Sequence, residues 1–233
     1  MNKNLKFDQL SSIPVPVQTA TYIPVPYTTM ATLIRNSVEN NNMSIFKESY
    51  NITKNGKQLI STITIKGKHP ELNMMISYLN NYDKSRSIII GIGSSVCICT
   101  NGMIIADFIF KHKHTGDVTR ELVLFIKYAI QTMQQQHNKT ITLMDTLKGI
   151  TVSKRIQAEL AGRLFIEYEI ITATQLNIVK RQIEKPTFNY HNNNSIWDFY
   201  NHVTLSLKTT PPSKFIDRHM KFSNFITEEF LVK

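Results

Sequence analysis

Lysine and arginine are the residues of this sequence best placed to do chemistry, and the chemistry they suggest is the binding of phosphate. Eight lie between Ser49 and Gly116 (Lys54, Lys57, Lys66, Lys68, Lys84, Arg86, Lys111 and Lys113), against three acids, Glu71, Asp83 and Asp107. Most fall at expected turns and hairpin ends, beside Tyr78 and Tyr82. Cationic side chains neutralise backbone phosphates whatever the base sequence, and an aromatic ring offers a face to an unpaired base. The combination suits single-stranded nucleic acid, and solvated turn lysines are the plain alternative. Tyr82, Lys84, Arg86, Lys111, Lys113 and Arg120 are the principal candidates. A second group, Lys154, Arg155 and Arg163 with Lys180-Arg181, either extends that surface or flanks solvent-facing helices.

Catalytic patterns are scarce. The chain has no G-x-x-x-x-G-K-[ST] phosphate loop, no H-E-x-x-H and no G-x-S-x-G. Gly91-x-Gly93 lacks a third glycine, and the scattered acids form no paired carboxylates for metal-assisted hydrolysis. Cys97 and Cys99 are the only cysteines, and with His112 and His114 they offer the right atoms for zinc. Register speaks against it. A turn at Asn101-Gly102 pairs Cys97 with Ala106, leaving His112 roughly 20 Å further along the hairpin. Neither a catalytic residue, a metal nor a cofactor is nominated, and a binding protein ranks above an enzyme.

The formal charge is +10, from 27 Lys and Arg against 17 Asp and Glu. Part of the lysine excess reads as codon drift in an AT-rich genome, because 30 Ile, 20 Asn and 20 Lys stand against 7 Ala and 7 Arg. A hydrophobic share of 42% excludes a disordered polyelectrolyte. No apolar run reaches the roughly 18 residues of a membrane span, and Met1–Leu10 lacks a signal-peptide layout. A cytoplasmic protein without a membrane partner is the expectation.

These candidates need a scaffold to hold them. Residues 1–27 read as an extended arm, since Pro14, Pro16, Pro24 and Pro26 forbid a helix. Its interleaved apolar residues either wrap its own domain or dock on a neighbouring subunit. Residues 28–208 read as one α+β domain and 209–233 as a terminal helix. A helix capped by Thr28 or Thr29 precedes a hairpin at Asn55-Gly56, in which Phe46 faces Ile65, Glu48 faces Ile63, Tyr50 faces Ser61 and Ile52 faces Leu59. A strand at Asn73–Leu79, a polar turn from Asn80 to Ser85 and a hairpin of Arg86–Thr100 with Met103–His112 bring the sheet to about five antiparallel strands. Asp117 or Thr119 then caps a long helix running into Gln134-Gln135-Gln136, and more helices follow near 153–168, 172–183, 195–207 and 213–231. Ser195-x-x-Asp198 resembles a capping box.

Trp197, Tyr200, Asn201 and Thr204 share one helical face at spacings of three, four and seven, a stripe suited to docking on the sheet through buried hydrogen bonds. That pattern, the run Asn80-Asn81-Tyr82-Asp83-Lys84-Ser85 and the run Cys99-Thr100-Asn101-Gly102 together resemble a family of phage- and plasmid-borne proteins known only as a domain of unknown function. The family favours Asn-Ser-Tyr-Asp-x-Ser and Cys-Ser-Asn-Gly, so Asn81 and Thr100 are mild departures. The resemblance spans Asn73 to Lys208, implies a mobile-element origin and assigns no activity. It marks Asn80, Asp83, Asn101, Gly102, Trp197, Tyr200, Asn201 and Thr204 as structural motif residues. The layout of hairpin, strand, hairpin and long helix is also similar to the core of phage single-strand annealing proteins. That similarity implies single-stranded DNA in a basic groove, rings or filaments of identical subunits, and no nucleotide requirement. The function expected is therefore that of a phage or plasmid DNA-metabolism protein, homo-oligomeric, acting in the host cytoplasm. The competing expectation is a virion or assembly component whose proline-rich arm docks on its neighbour.

Overall fold

A computed structural model of the chain describes residues 3–53, 55–99, 101–211 and 214–231. Lys54, Thr100, Pro212 and Ser213 lie outside the described residues. Six strands form one antiparallel meander in chain order: β1 (Lys3–Leu5), β2 (Ile45–Ile52), β3 (Gln58–Ile65), β4 (Leu72–Asn81), β5 (Ile88–Val96) and β6 (Gly102–His112). Helix α1 (Tyr27–Asn40) precedes β2, and α2 (Val118–Gly149), α3 (Lys154–Ile166), α4 (Ala173–Glu184), α5 (Ile196–Leu207) and α6 (Phe215–Phe230) follow the sheet. The class is α+β, sheet first and helices after. The sixth strand comes from the arm, where Lys3, Asn4 and Leu5 pair with Ile52, Asn51 and Tyr50. Three residues carry no strand signature of their own. They become a strand because β2 offers an edge.

Other parts of the arm also lie on its own sheet. Leu10, Tyr22 and Val25 are buried, and Ile13 packs over Gly56 in the first hairpin turn. The Ile23 N–H donates to the His114 carbonyl at 2.7 Å, and Asn80 Nδ2 donates to the Val25 carbonyl at 2.8 Å. Val25, between Pro24 and Pro26, thus finds its cover inside the chain, whereas Val15 and Val17 of the first proline pair stay exposed.

The first hairpin keeps its expected register from Glu48↔Ile63 through Tyr50↔Ser61 to Ile52↔Leu59. At its far end a bulge sets Ile45, not Phe46, opposite Ile65, and leaves Phe46 64% exposed. Glu48, the one charge on the apolar face, accepts from the Tyr50 hydroxyl at 2.8 Å and lies 3.7 Å from Arg35.

The second hairpin corrects the expectation. Its described turn residues are 97–99, closed off by the Val96 N–H donating to the Asn101 carbonyl, so Asn101 leads into β6, which begins at Gly102, instead of making the turn. Ser95 pairs with Gly102 and Gly93 with Ile104, yet Gly91 pairs with Ile109 and Ile89 with Lys111. Between these pairs β6 carries three more residues than β5. An odd insertion turns every later side chain to the opposite face of the sheet. Phe110 accordingly joins Ile88 and Ile90 in the core under α1 and α2, while Ile109 and Lys111 lie on the other face with Ile89. The polar stretch after β4 is corrected too: Asn80 and Asn81 end the strand, fully buried, and the turn comes later.

Helix α2 extends thirteen residues beyond the Gln134–Gln136 run, to about 48 Å in all at 1.5 Å per residue. No Gly or Pro interrupts it before Gly149, and apolar residues resume at helical spacing with Met144 and Leu147. Its first half packs Leu122, Ile126, Ile130 and Met133 into the core beneath the sheet. Its last turns enter a second core, built with Trp197, Phe199 and Val203 of α5 and Phe222 and Phe225 of α6. Between the two cores His137 Nδ1 lies 2.9 Å from Ser94 Oγ on β5. The loop at Gly67 runs so close that a Cβ there would sit 2.6 Å from the Leu72 carbonyl and 3.0 Å from His137 Nε2. Helix α6 returns across the outer face, where Ile216 packs with Ile60, Met75 and Leu79. Among the described residues no helix is long and apolar enough to cross a membrane.

Burial holds three imidazoles neutral. Desolvation lowers the pKa of His114 and His137, and takes that of His202 on α5 down to about 4. An unfolded chain would bind protons at these sites near pH 6.5, whereas the folded chain resists them, so stability rises with pH across this window. His202 should contribute about 3 kcal/mol above pH 6.5 that is lost as the pH falls to 4. In urea unfolding followed by circular dichroism, His202→Gln is expected to lose less stability between pH 7 and pH 4 than the parent. Parallel losses would exclude the assignment.

Candidate nucleic-acid interface

The turn from Tyr82 to Ser87 is built against the arm. Tyr82 stacks on Tyr27 with ring centroids 3.9 Å apart, and its hydroxyl accepts from the Tyr27 N–H at 2.9 Å. Asp83 accepts from Gln58 Nε2 at 2.8 Å, from the Ser85 N–H at 3.0 Å and from the Ser85 hydroxyl at 2.5 Å. Desolvation alone would raise its pKa, but these hydrogen bonds hold the carboxyl below its ordinary value. Lys84 adopts a left-handed backbone with φ of 62° and carries its ammonium over the Tyr22 ring, 4.7 Å from the centroid. The Tyr22 hydroxyl in turn reaches the carbonyls of Asn81 and Tyr82 at 3.5 and 3.4 Å.

Beside this turn the outer face of the sheet opens into a groove. A cavity of about 580 Å³ is lined by Thr21, Tyr22, Lys84, Ser85, Arg86, Ser87, Ile89, Lys111, Lys113, His114 and Thr115. A second, of about 430 Å³, shares Arg86, Ile89 and Lys111 with it and continues along Tyr168, Glu169, Lys214, Asp217, Arg218 and Lys221. The two make one trough between the ends of β5 and β6 and the start of α6. Seven cations line it against two carboxylates, and Asp217 lies 3.4 Å from Lys221. Arg218 also donates to Gln175 Oε1 at 2.8 Å.

Four of the nominated cations, Lys84, Arg86, Lys111 and Lys113, therefore meet in one place. Tyr82 does not reach it, because its ring face is covered by Tyr27. Arg120 lies at the start of α2, 4.0 Å from Asp117, outside the lining of the trough. Lys154 and Arg155 are exposed at the far end of α3, about 20 Å along the chain from Tyr168 at helical rise. Arg163 is held by Glu229 at 2.9 Å and Glu167 at 3.3 Å. Lys214, Arg218 and Lys221 were not nominated. Their spacing of four and three, one face of a helix, is visible in the sequence, but nothing there says that α6 returns to the sheet.

The remaining motif residues cluster at the opposite end of the sheet. Asn101 Nδ2 donates to the Asn201 carbonyl at 3.0 Å and lies 3.5 Å from the Tyr190 hydroxyl. Asn201 Nδ2 donates back to the Trp197 carbonyl at 2.9 Å, and Thr204 Oγ1 donates to that of Tyr200 at 3.0 Å. Ser195 and Asp198 form the reciprocal cap of α5, with bonds of 3.0 and 3.1 Å. These side chains are all buried, and they fasten the start of β6 to α5 across a hundred residues of chain. Gly102, the last of the motif positions, is the first residue of β6 and pairs with Ser95.

With both clusters in view, the comparison with known families falls into place. A family described as Domain of unknown function (DUF932) matches residues 14–220. This chain belongs to the DUF932 family. No curated protein and no solved structure matches it. The DUF932 match takes in the second half of the arm, the five longer strands, helices α1 to α5 and the start of α6, hence the Asn101–Asn201 clamp and all of the groove lining but Lys221. The family description carries no activity.

Two other constellations in this DUF932 chain lack the chemistry of a site. Ser94 and His137 form a Ser–His pair, but Ser94 is fully buried and no substrate could reach it. A cavity of about 580 Å³ near Cys97, Tyr190 and Trp197 carries the Glu71–Lys148 ion pair, at 2.6 Å, on its wall. Burial and the nearby Glu71 raise the pKa of Cys97, which works against a reactive thiolate there. Among the described residues no three His, Cys, Asp or Glu side chains gather to hold a metal.

The left-handed backbone of Lys84 makes a direct prediction. A non-glycine residue there costs about 1 kcal/mol, so Lys84→Gly should leave the melting temperature unchanged or raise it, while Lys84→Val should lower it. Thermal unfolding of the two variants measures the difference. Equal losses in both would mean that the side chain, not the backbone, sets the cost.

Proposed function

We propose that this DUF932 chain binds single-stranded DNA along the trough between the sheet and α6. One observation carries the reading: cations from three separate segments, the 82–87 turn, the end of β6 and the first turns of α6, line one continuous surface. Mutual repulsion makes such a gathering unfavourable unless an anion relieves it. Repeating phosphates are the simplest polymer to do so, with Lys84, Arg86, Lys111, Lys113, Lys214, Arg218 and Lys221 as their partners. Tyr22 and the partly exposed ring of Tyr168 give the trough aromatic walls, which favours unpaired bases over a closed duplex.

The wider role proposed is DNA metabolism of a phage or plasmid, in strand annealing or recombination. AT-biased composition and the three motifs support the mobile-element origin. The layout shared with annealing proteins supports the process, and it brings with it a homo-oligomer acting in the host cytoplasm. Exposed Leu124 and Tyr128 on α2, each 57% accessible, offer apolar surface for contacts between subunits. The bonds that tie Ile23 to His114 and Val25 to Asn80 favour this reading over an assembly role in which the arm docks on a neighbour.

A mobility shift with a labelled oligothymidylate tests the reading. Binding in the micromolar range or better is expected at low salt. Each phosphate contact should add about −0.7 to the slope of log affinity against log salt. Lys111→Glu combined with Lys214→Glu should weaken binding at least about tenfold and flatten that slope, whereas Lys154→Glu should do neither. No shift at micromolar protein in low salt would refute it.

A further inference from the structure

Positive charge is uneven along the trough. Among the described residues, its turn end is lined by Lys84 and Lys113, with Arg86 and Lys111 shared between the two ends, and by no carboxylate, whereas both acids, Glu169 and Asp217, lie at the α6 end. Asp83, the acid nearest the turn end in sequence, is occupied by Gln58 and Ser85. Lys84, Lys111 and Lys113 around about 580 Å³ already exceed what one phosphodiester, with a single charge, can neutralise. A phosphate monoester carries close to two charges at neutral pH and three acceptor oxygens.

The turn end is also closed. The arm crosses it: Ile23 bonds to His114 at the end of β6, and Tyr22 reaches the carbonyls of Asn81 and Tyr82 beside the turn. A strand following the trough from α6 runs into this wall, so the site suits a strand end better than a strand middle. Lys84 is preset toward the site, by its left-handed backbone and by the Tyr22 ring beneath its ammonium.

Building on the single-strand reading, we propose that the turn end of the trough is a pocket for a phosphate monoester, borne either by the end of a DNA strand or by a free mononucleotide. The test uses the full chain and an internally labelled oligothymidylate carrying a 5′-phosphate, a 3′-phosphate or hydroxyls at both ends, read by fluorescence anisotropy at fixed salt. One phosphorylated strand should bind about tenfold more tightly than the hydroxyl-ended strand, the gain from one added set of charge-assisted hydrogen bonds. Lys113→Gln should shrink that preference below about twofold, and Lys154→Gln, outside the trough, should leave it intact. Thymidine monophosphate, titrated calorimetrically against the parent and Lys113→Gln, covers the free-nucleotide source. Equal affinity for all three strands would overturn the terminal pocket while leaving single-strand binding in place. No strand binding but retained thymidine monophosphate, weakened by Lys113→Gln, would overturn the single-strand reading and keep the pocket as a mononucleotide site. Binding of neither would overturn both.

Discussion

The three-residue register change between β5 and β6 is the constraint on which the groove depends. Pairing on the Gly93↔Ile104 side, continued unbroken, would set Ile89 opposite Phe108 and aim Lys111 at the core under α1 and α2. The insertion instead sends Phe110 inward, to meet Phe125 of α2 at 5.0 Å between ring centroids, and places Lys111 on the outer face with Ile89. A lysine aimed into that core would have to lose its charge or find a carboxylate. The same slip thus completes one core and supplies a cation to the opposite surface.

Legibility followed the range of the interaction. Asn55-Gly56 set the first hairpin because the turn and the alternation of Tyr50, Ile52, Leu59 and Ile63 agree within fifteen residues of chain. The Ser195–Asp198 cap was readable for the same reason, since both partners belong to one helical turn. Asn101-Gly102 carried as strong a local signal, and it misled. Asn101 is withdrawn from the turn because its side chain is the buried partner of Asn201, a hundred residues away. A buried hydrogen bond of that range outweighs the modest preference of two residues for a tight turn. The extension of α2 was hidden likewise: Gln134–Gln136 ends an apolar stripe, and the second core that resumes it belongs to α5 and α6.

The candidate site divides along the same line. The cations of the 82–87 turn and of β6 were visible because adjacent strands bring hairpin ends together. The cations of α6 were not, although their helical spacing is plain, because the packing of Ile216 on Ile60 and Leu79 is a tertiary event. Tyr82 shows the reverse error. An aromatic in a polar turn reads as an exposed platform, yet a stacked ring and one hydrogen bond from the Tyr27 backbone bury it. Its place at the groove wall is taken by Tyr22, from an arm with no apparent tie to that turn in sequence.

The arm is therefore better understood as part of the groove than as an appendage. Among the described residues four non-glycine residues have positive φ, and the two that are not asparagine, Lys84 and Glu169, both line the trough. Asparagine tolerates that region, whereas lysine and glutamate need surrounding structure to hold them there. For Lys84 the surroundings are the Asp83 hydrogen bonds on one side and Tyr22 on the other, with Tyr22 anchored by the Ile23 and Val25 backbone bonds. Proline on alternate residues keeps this segment extended without a sheet of its own, so that its side chains arrive in register over the turn. Tension in one residue of the turn is thus balanced by a distant stretch of chain whose composition left open whether it wraps its own domain or docks on a neighbour.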